Sequence, residues 1–265
     1  MNSVNRAMIL PGMLSITFRS HSAAQIVELA AAAQLTAIEW GGDVHVPHGD
    51  LIAGRAVRKM CDDAGLAISA YGSYFRSVAA SDPSASAVLD TAVELHTNLV
   101  RVWAGTRGSA DADASERAAV VERLATFCDL AAQRKLIVAT EFHGGTLTDD
   151  VDSCLRLLDE VNRPNLRTMW QPPNGMGPAD SLAGLRRVRP RLAYVHVFHW
   201  HPDHLHRRGL ADGTNCWPAY LREIAEQSKA DGQLRYASLE FVRDDSVEQF
   251  RSDAATLLAW LGDIG

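Results

Sequence analysis

Three consecutive segments, Leu136–Phe142 (LIVATEF), Val151–Val161 (VDSCLRLLDEV) and Leu166–Trp170 (LRTMW), decide the fold of this chain of 265 residues. The first and third are short apolar runs of the kind that form strands, and the second repeats its apolar residues with the spacing of a helix. Asp149 and Asp150 precede the helical pattern and can satisfy free N–H groups at a helix start. A strand, a helix and a strand in this order predict a parallel βαβ unit.

The same alternation extends along the rest of the chain. The other predicted strands are Leu14–Phe18, Ala37–Trp40, Ala67–Tyr71, Leu99–Trp103, Ala193–Phe198 and Tyr236–Val242. The other predicted helices are Ser22–Ala33, Ala56–Ala64, Ala87–His96, Ser115–Arg134, Ser181–Val188, Pro218–Lys229 and Ser246–Leu261. Eight strand–helix units favour a closed (β/α)8 barrel, the TIM barrel, over an open doubly wound sheet, and no Gly-x-Gly-x-x-Gly motif follows the first strand. Because no linker interrupts the pattern, we predict a single α/β domain covering residues 1–265.

Composition narrows the class of function. Hydrophobic residues make up 47% of the chain and charged residues 22%, which is typical of a soluble globular protein. The net charge of −6 and the lack of a basic stripe disfavour a nucleic-acid partner. No apolar run approaches the roughly 18 residues of a membrane span, and the N-terminal residues lack a secretory pattern. Four scattered cysteines without a Cys-x-x-Cys motif fit a chain with reduced thiols, so we expect a cytoplasmic protein. With nucleic acid and membrane disfavoured, we expect the partner to be a small molecule.

Four polar residues at predicted strand ends are candidate metal ligands. Glu141 and Glu240 each lie in an apolar strand pattern, where a carboxylate is costly to bury unless it is paired or bound to a metal. His196 lies between two valines on the next-to-last strand, and Gln171 ends the strand between those of Glu141 and His196. Oxygen-rich donors with one imidazole suit Mn²⁺, Mg²⁺ or Co²⁺, and Zn²⁺ also binds such sets. For each residue alone, a salt-bridged glutamate or a hydrogen-bonded core histidine is the simpler alternative.

Residues around the same strand ends are candidates for binding the substrate. They are Trp40, Asp43, His45, Tyr71, Arg101, Trp103, Asn174 and His199. Aromatic faces suit the C–H face of a sugar or cyclitol ring, and the polar side chains could bind hydroxyl groups. The alternatives are an aromatic plug that seals the barrel and an exposed polar loop. Strand alternation puts His143 on the same side of its strand as Glu141.

Four segments, taken in order, resemble the xylose isomerase-like barrel superfamily, often described as sugar phosphate isomerases and epimerases. The segments are Ile38–Pro47, Glu141–Thr146 (EFHGGT), Val195–Val197 (VHV) and Leu239–Phe241 (LEF). The resemblance covers nearly the whole chain and is specific for the superfamily rather than for one substrate. It implies a divalent metal held at the ends of strands five to eight, here by Glu141, Gln171, His196 and Glu240. Gln171 departs from the pattern, since an acidic residue is usual there, and Asn174 stands where many relatives have a histidine.

The resemblance also implies a reaction that begins with removal of a proton next to a carbonyl. In the epimerases of this superfamily the two metal-bound glutamates act as acid and base, which assigns these roles to Glu141 and Glu240. Dehydratase and inosose-type relatives often carry Glu-x-His on strand five, which makes His143 a candidate base. The prediction is a divalent-metal-dependent isomerase or epimerase, or a related dehydratase, that acts on a keto-sugar, sugar derivative or inosose. Relatives are often dimers or tetramers, so the resemblance leaves a homo-oligomer open.

Two other functions compete with this prediction. One is a metal-free, non-catalytic barrel that binds a sugar or a partner protein and has lost its metal through Gln171. The other is the endonuclease branch of the same superfamily, which cuts DNA at abasic sites with a trinuclear zinc cluster. The net charge of −6 and the amide at Gln171 disfavour the endonuclease.

Overall fold

The barrel strands bring the candidate residues to one end of the molecule. The computed structural model describes residues 8–78 and 82–264, and within them eight parallel strands form a closed barrel. The barrel strands are β1 (Ile9–Leu14), β2 (Ala37–Gly41), β3 (Ala67–Gly72), β4 (Leu99–Val102), β5 (Ile137–Thr140), β6 (Leu166–Trp170), β7 (Leu192–Val197) and β10 (Arg235–Leu239), and the two strands outside the barrel are β8 (His199–Trp200) and β9 (Arg207–Arg208). The short β8 and β9 pair antiparallel with each other, and the barrel closes where β1 pairs with β10 and with β2. The predicted TIM barrel is confirmed, whereas the predicted domain limits at residues 1 and 265 lie outside the described residues.

Helices follow the barrel strands and cover the outside of the barrel. They are α1 (Ala23–Ala32), α2 (Leu51–Asp63), α3 (Ala85–Glu94), α4 (Ala114–Gln133), α5 (Val151–Val161), α6 (Pro178–Val188), α7 (Trp217–Asp231) and α8 (Val247–Gly262). Asp150 accepts a hydrogen bond from the Ser153 amide at 2.9 Å and starts α5, as its position in the sequence predicts. In the part of the chain that the structure describes, none of the helices has the length and apolar character needed to cross a membrane.

The first strand lies earlier than the sequence predicts. The prediction of Leu14–Phe18 is wrong, because β1 ends at Leu14 and the following residues form a 3-10 helix. Pro11 and Gly12 weaken the strand pattern in the sequence. In the barrel the Pro11 carbonyl accepts a hydrogen bond from the Thr36 amide at 2.9 Å. Gly12 runs close to its neighbouring strands, since a Cβ there would lie 3.0 Å from both the Ala37 carbonyl oxygen and Ser238 Oγ.

Candidate active site

A cavity of about 350 Å³ opens at the carboxyl ends of the barrel strands. Reactive groups of TIM barrels lie at this end, because the loops that follow the strands meet there. The predicted site residues that line the cavity are Arg101, Trp103, Glu141, His143, Gln171, Asn174 and Glu240. The cavity is also lined by Tyr74, a weaker substrate-binding candidate from the sequence, and by Arg19 and Asp149, which the sequence does not indicate as site residues.

Three buried side chains converge at the base of this cavity. One ligand atom from each of Glu141, His196 and Glu240 lies within 4.8 Å of the others. His196 Nδ1 is 3.3 Å from Glu240 Oε2 and 3.2 Å from Gln171 Oε1. The four residues that the sequence predicts as metal ligands therefore come together, although they lie on different strands or directly after them.

Glu39 is the principal residue that the sequence analysis missed. Its side chain is 1% exposed, and its Oε1 accepts a hydrogen bond from Arg101 Nε at 2.6 Å. Its Oε2 lies 3.0 Å from His196 Nε2, so the carboxylate joins β2 to β7 across the barrel. The sequence does indicate a buried carboxylate here, because Glu39 interrupts an apolar strand pattern in the same way as Glu240 does.

Arg101 links the two buried carboxylates of Glu39 and Glu141. Its Nε donates to Glu39 and its Nη1 donates to Glu141. The guanidinium fits because Gly72 faces it on β3: a Cβ on Gly72 would lie 2.5 Å from Arg101 Nη2. Glycine at this position thus lets a bulky cation enter the barrel interior.

The charges of the cluster are strongly coupled. Burial by itself would raise the pKa of Glu39, but the charges of Arg101 and His196 outweigh burial and lower that pKa. Burial would likewise lower the pKa of His196, but the carboxylates of Glu240 and Glu39 outweigh it and raise the pKa. Without an added cation, the imidazolium therefore supplies positive charge between two carboxylates.

The same donor set fits a divalent cation. When His196 Nε2 donates its proton to Glu39, the lone pair of Nδ1 faces the oxygens of Gln171 and Glu240. A bound cation would then take the place of the second imidazole proton. A carboxylate that accepts from the far nitrogen of a histidine is the usual partner of a metal-bound imidazole. Carboxylate and amide oxygens with one imidazole suit Mg²⁺, Mn²⁺ or Co²⁺.

His143 presents a free ring nitrogen beside this cluster. Its Nδ1 lies 2.6 Å from the Gly144 carbonyl oxygen, which can only accept, so Nδ1 carries a proton, and in the neutral ring Nε2 then holds the lone pair. The imidazole stacks on Trp103 with ring centroids 4.4 Å apart. The Arg76 guanidinium lies 4.3 Å from the centroid of the same indole. This contact with Trp103 fixes the plane of a side chain that could accept a proton.

Two predicted substrate-binding residues lie away from the cavity. Trp40 and Tyr71 are fully buried, and the Tyr71 hydroxyl donates to the Val46 carbonyl oxygen at 2.8 Å. Both follow the alternation of their strands, because their neighbours Glu39 and Gly72 face the barrel interior. The alternative of structural aromatic residues therefore describes their positions better.

Three further predicted residues, Asp43, His45 and His199, are not among those that line the cavity. His45 Nδ1 lies 3.0 Å from Ser15 Oγ, and its Nε2 lies 3.0 Å from a backbone carbonyl. Asp43 forms an ion pair with Arg19. His199 lines a neighbouring cavity of about 170 Å³, and Asn174 borders both cavities.

We predict that Glu39→Gln lowers the free energy of unfolding by roughly 2 kcal/mol, because a buried guanidinium loses its charged partner. Urea unfolding monitored by circular dichroism measures this change. Lys59→Gln is the matched control: its ion pair with Asp63 is exposed, and we expect no measurable change. Equal stability of Glu39→Gln and wild type would contradict a stabilising role for the buried pair.

Comparison with known proteins agrees with the fold. A family model described as the xylose isomerase-like TIM barrel matches residues 27–258. A 3-dehydroshikimate dehydratase from Bacillus anthracis is 39% identical over 174 residues, which are 63% of this chain and 57% of that protein. This chain thus spans less than two thirds of the length of that curated relative.

Solved structures show the likeness of fold. The crystal structure of the probable 3-DHS dehydratase AsbF from Bacillus anthracis has a TM-score of 0.77 and 23% identity, covering 95% of this chain and 99% of that one. A xylose isomerase-like TIM barrel protein from Mycobacterium smegmatis, solved in complex with magnesium, has a TM-score of 0.69 and 16% identity. The match covers 100% of this chain and 99% of that one.

Proposed function

This chain belongs to the xylose isomerase-like TIM barrel family, and from that premise we propose that it dehydrates a small cyclic hydroxyketone of the 3-dehydroshikimate type with the help of a divalent cation. The observation that carries the proposal is that one cavity holds both a set of candidate cation donors and a candidate base. A set of cation donors lies at its base, and a histidine with a free Nε2 lines its wall. The name of the curated relative supports the choice of substrate.

The chemistry of 3-dehydroshikimate matches these groups. Its C5 hydroxyl is β to the C3 ketone, so removal of the C4 proton and departure of that hydroxyl release water. Loss of a C6 proton and protonation of the C3 oxygen then give the aromatic product 3,4-dihydroxybenzoate. The reaction needs a base near a carbon next to the carbonyl, a group that protonates the leaving hydroxyl, and positive charge near the ketone oxygen.

Each of these tasks has a candidate among the cavity residues. His143 Nε2 would accept the C4 proton, and the resulting imidazolium would return it to the departing hydroxyl. Glu141, Gln171, His196 and Glu240 would hold the cation, which when bound supplies Lewis-acid polarisation of a substrate oxygen. Glu39 would keep the His196 ring in place by accepting from Nε2.

Incubation with 3-dehydroshikimate and Mn²⁺ tests the proposal. We expect formation of 3,4-dihydroxybenzoate, which is detected by its ultraviolet absorbance. Treatment with a chelator should abolish this activity. Restoration by Mn²⁺ would assign the loss to the cation. Exchange of solvent deuterium into a neutral ketose without formation of an aromatic product would contradict the dehydratase and favour an epimerase.

We predict that Mn²⁺ raises the unfolding temperature of the wild type by several degrees, because a ligand that binds only the folded state stabilises it. Gln171→Asp is the informative variant, since it adds a carboxylate next to His196 and Glu240. Without metal this variant should unfold at a lower temperature than the wild type, and with Mn²⁺ its increase should be larger. An unfolding temperature that Mn²⁺ leaves unchanged in both proteins would contradict the metal site.

A further inference from the structure

Two guanidinium groups line the active cavity, and they differ in exposure, since the Arg101 side chain is buried and the Arg19 side chain is 44% exposed. Arg101 is buried, and its Nε and Nη1 donate to Glu39 and Glu141. Its remaining Nη2 lies beside Gly72. The charge of Arg101 is therefore committed to the buried carboxylates.

Arg19 keeps part of its hydrogen-bonding capacity. Its side chain is 44% exposed and borders the cavity. Nη1 donates to Asp43, and Nη2 donates to the Tyr74 hydroxyl at 2.7 Å. A guanidinium has five N–H donors, so this arrangement fixes the orientation of the Arg19 fork and leaves donors for another acceptor.

Tyr74 places a second donor next to this fork. Its oxygen accepts from Arg19 Nη2, which leaves the hydroxyl hydrogen free to donate. The aromatic ring lies between the two arginines, with its centroid 6.0 Å from Arg19 Cζ and 5.6 Å from Arg101 Cζ. The backbone of Tyr74 has φ 52°, a left-handed conformation that is strained for a residue with a side chain. Such strain is typical of positions where the placement of a side chain matters for function.

We propose that Arg19 and the Tyr74 hydroxyl form a carboxylate-binding subsite, which makes the cavity selective for anionic hydroxyketones over neutral sugars. This inference rests on the proposed function and deepens it, since 3-dehydroshikimate carries a ring carboxylate. A planar guanidinium matches the two oxygens of a carboxylate, and charge-assisted hydrogen bonds of this kind are among the stronger ones. Asp43 holds the fork from the other side and so acts as a positioning residue.

The subsite also separates the charges of the cavity. The carboxylates of Glu141 and Glu240 lie at the base of the cavity, whereas Arg19 lies in the loop after β1, near the solvent. A substrate that puts its carboxylate on Arg19 would direct its opposite edge, which carries the oxygens, toward Glu141, Gln171 and Glu240. Binding through the carboxylate would therefore orient the ring for the reaction.

The test is a comparison of KM and kcat for 3-dehydroshikimate in Arg19→Gln. We expect KM to rise about 10- to 100-fold with kcat changed no more than about threefold, because the lost contact serves binding rather than proton transfer. Arg19→Lys keeps the charge without the fork and should give a smaller rise. Arg107→Gln is the matched control: it removes an exposed arginine whose partner is Glu116, and KM should not change. Equal unfolding temperatures would show that the variants remain folded.

A binding measurement distinguishes failure of the subsite from failure of the proposed function. Calorimetry with Mn²⁺ present compares 3,4-dihydroxybenzoate with catechol, which has the same two hydroxyls and no carboxylate. Tighter binding of the acid by wild type, lost in Arg19→Gln, supports the subsite even if the protein does not convert 3-dehydroshikimate. Conversion of 3-dehydroshikimate with the same KM in wild type and Arg19→Gln would overturn the subsite and leave the dehydratase intact. No conversion and equal binding of the two compounds would overturn both.

Discussion

Glu240→Gln should reduce kcat/KM for 3-dehydroshikimate by about 10³-fold or more, because it removes a charged ligand from the base of the cavity. Glu240 is 5% exposed, and its Oε2 lies 3.3 Å from His196 Nδ1. Glutamine has nearly the same volume, so the variant loses the charge and keeps the packing. The measurement is steady-state turnover in saturating Mn²⁺, together with the rise in unfolding temperature that Mn²⁺ produces.

We expect Glu240→Gln to lose both the turnover and the stabilisation by Mn²⁺. The increase in unfolding temperature that Mn²⁺ produces should become smaller as turnover is lost, since the proposed role of the carboxylate is to bind the cation. Glu248→Gln removes an exposed glutamate from the next helix and should leave both unchanged. Wild-type turnover in Glu240→Gln would remove this residue from the mechanism.

His143→Asn should lower kcat by about 10²- to 10⁴-fold, the range that general acid–base groups contribute. Asparagine can still donate a hydrogen bond to the Gly144 carbonyl oxygen, as His143 Nδ1 does now, but it has no basic nitrogen. In contrast with Glu240→Gln, the rise in unfolding temperature with Mn²⁺ should persist. The pair of variants therefore separates the cation donors from the base.

His204→Asn is the control for this prediction, because His204 is exposed in the β8–β9 hairpin. Its turnover should equal that of the wild type. If His143→Asn kept its kcat, proton transfer would have to be assigned to another cavity residue.

Strand alternation explains both the successes and the errors of the sequence analysis. The apolar runs located the later strands and put Glu141 and His143 on the same side, and both line the cavity. The aromatic residues Trp40 and Tyr71 were chosen by residue type, although the strand phase that carries Glu39 inward turns Trp40 outward. A consistent search for carboxylates in apolar runs would have found Glu39.

Other features depend on contacts between distant parts of the chain. Nothing near Arg19 in the sequence indicates that its guanidinium meets Asp43 and Tyr74 at the cavity. The start of β1 was missed because Pro11 and Gly12 are unusual in strands, and the close approach of the neighbouring strands accounts for Gly12.

The bridge from Glu141 through Arg101 and Glu39 to His196 also has a consequence for how the barrel assembles. Its members come from β2, β4 and β7 and from the residue after β5, so each must face inward at the same height. A slip of β2 by one residue would turn Glu39 outward and replace it with an apolar neighbour, leaving the charge of Arg101 only partly compensated in the interior. A barrel with a misaligned strand is therefore less stable for electrostatic reasons as well as for reasons of packing. The residues proposed for chemistry thereby also help to select the correct alignment of the strands during folding.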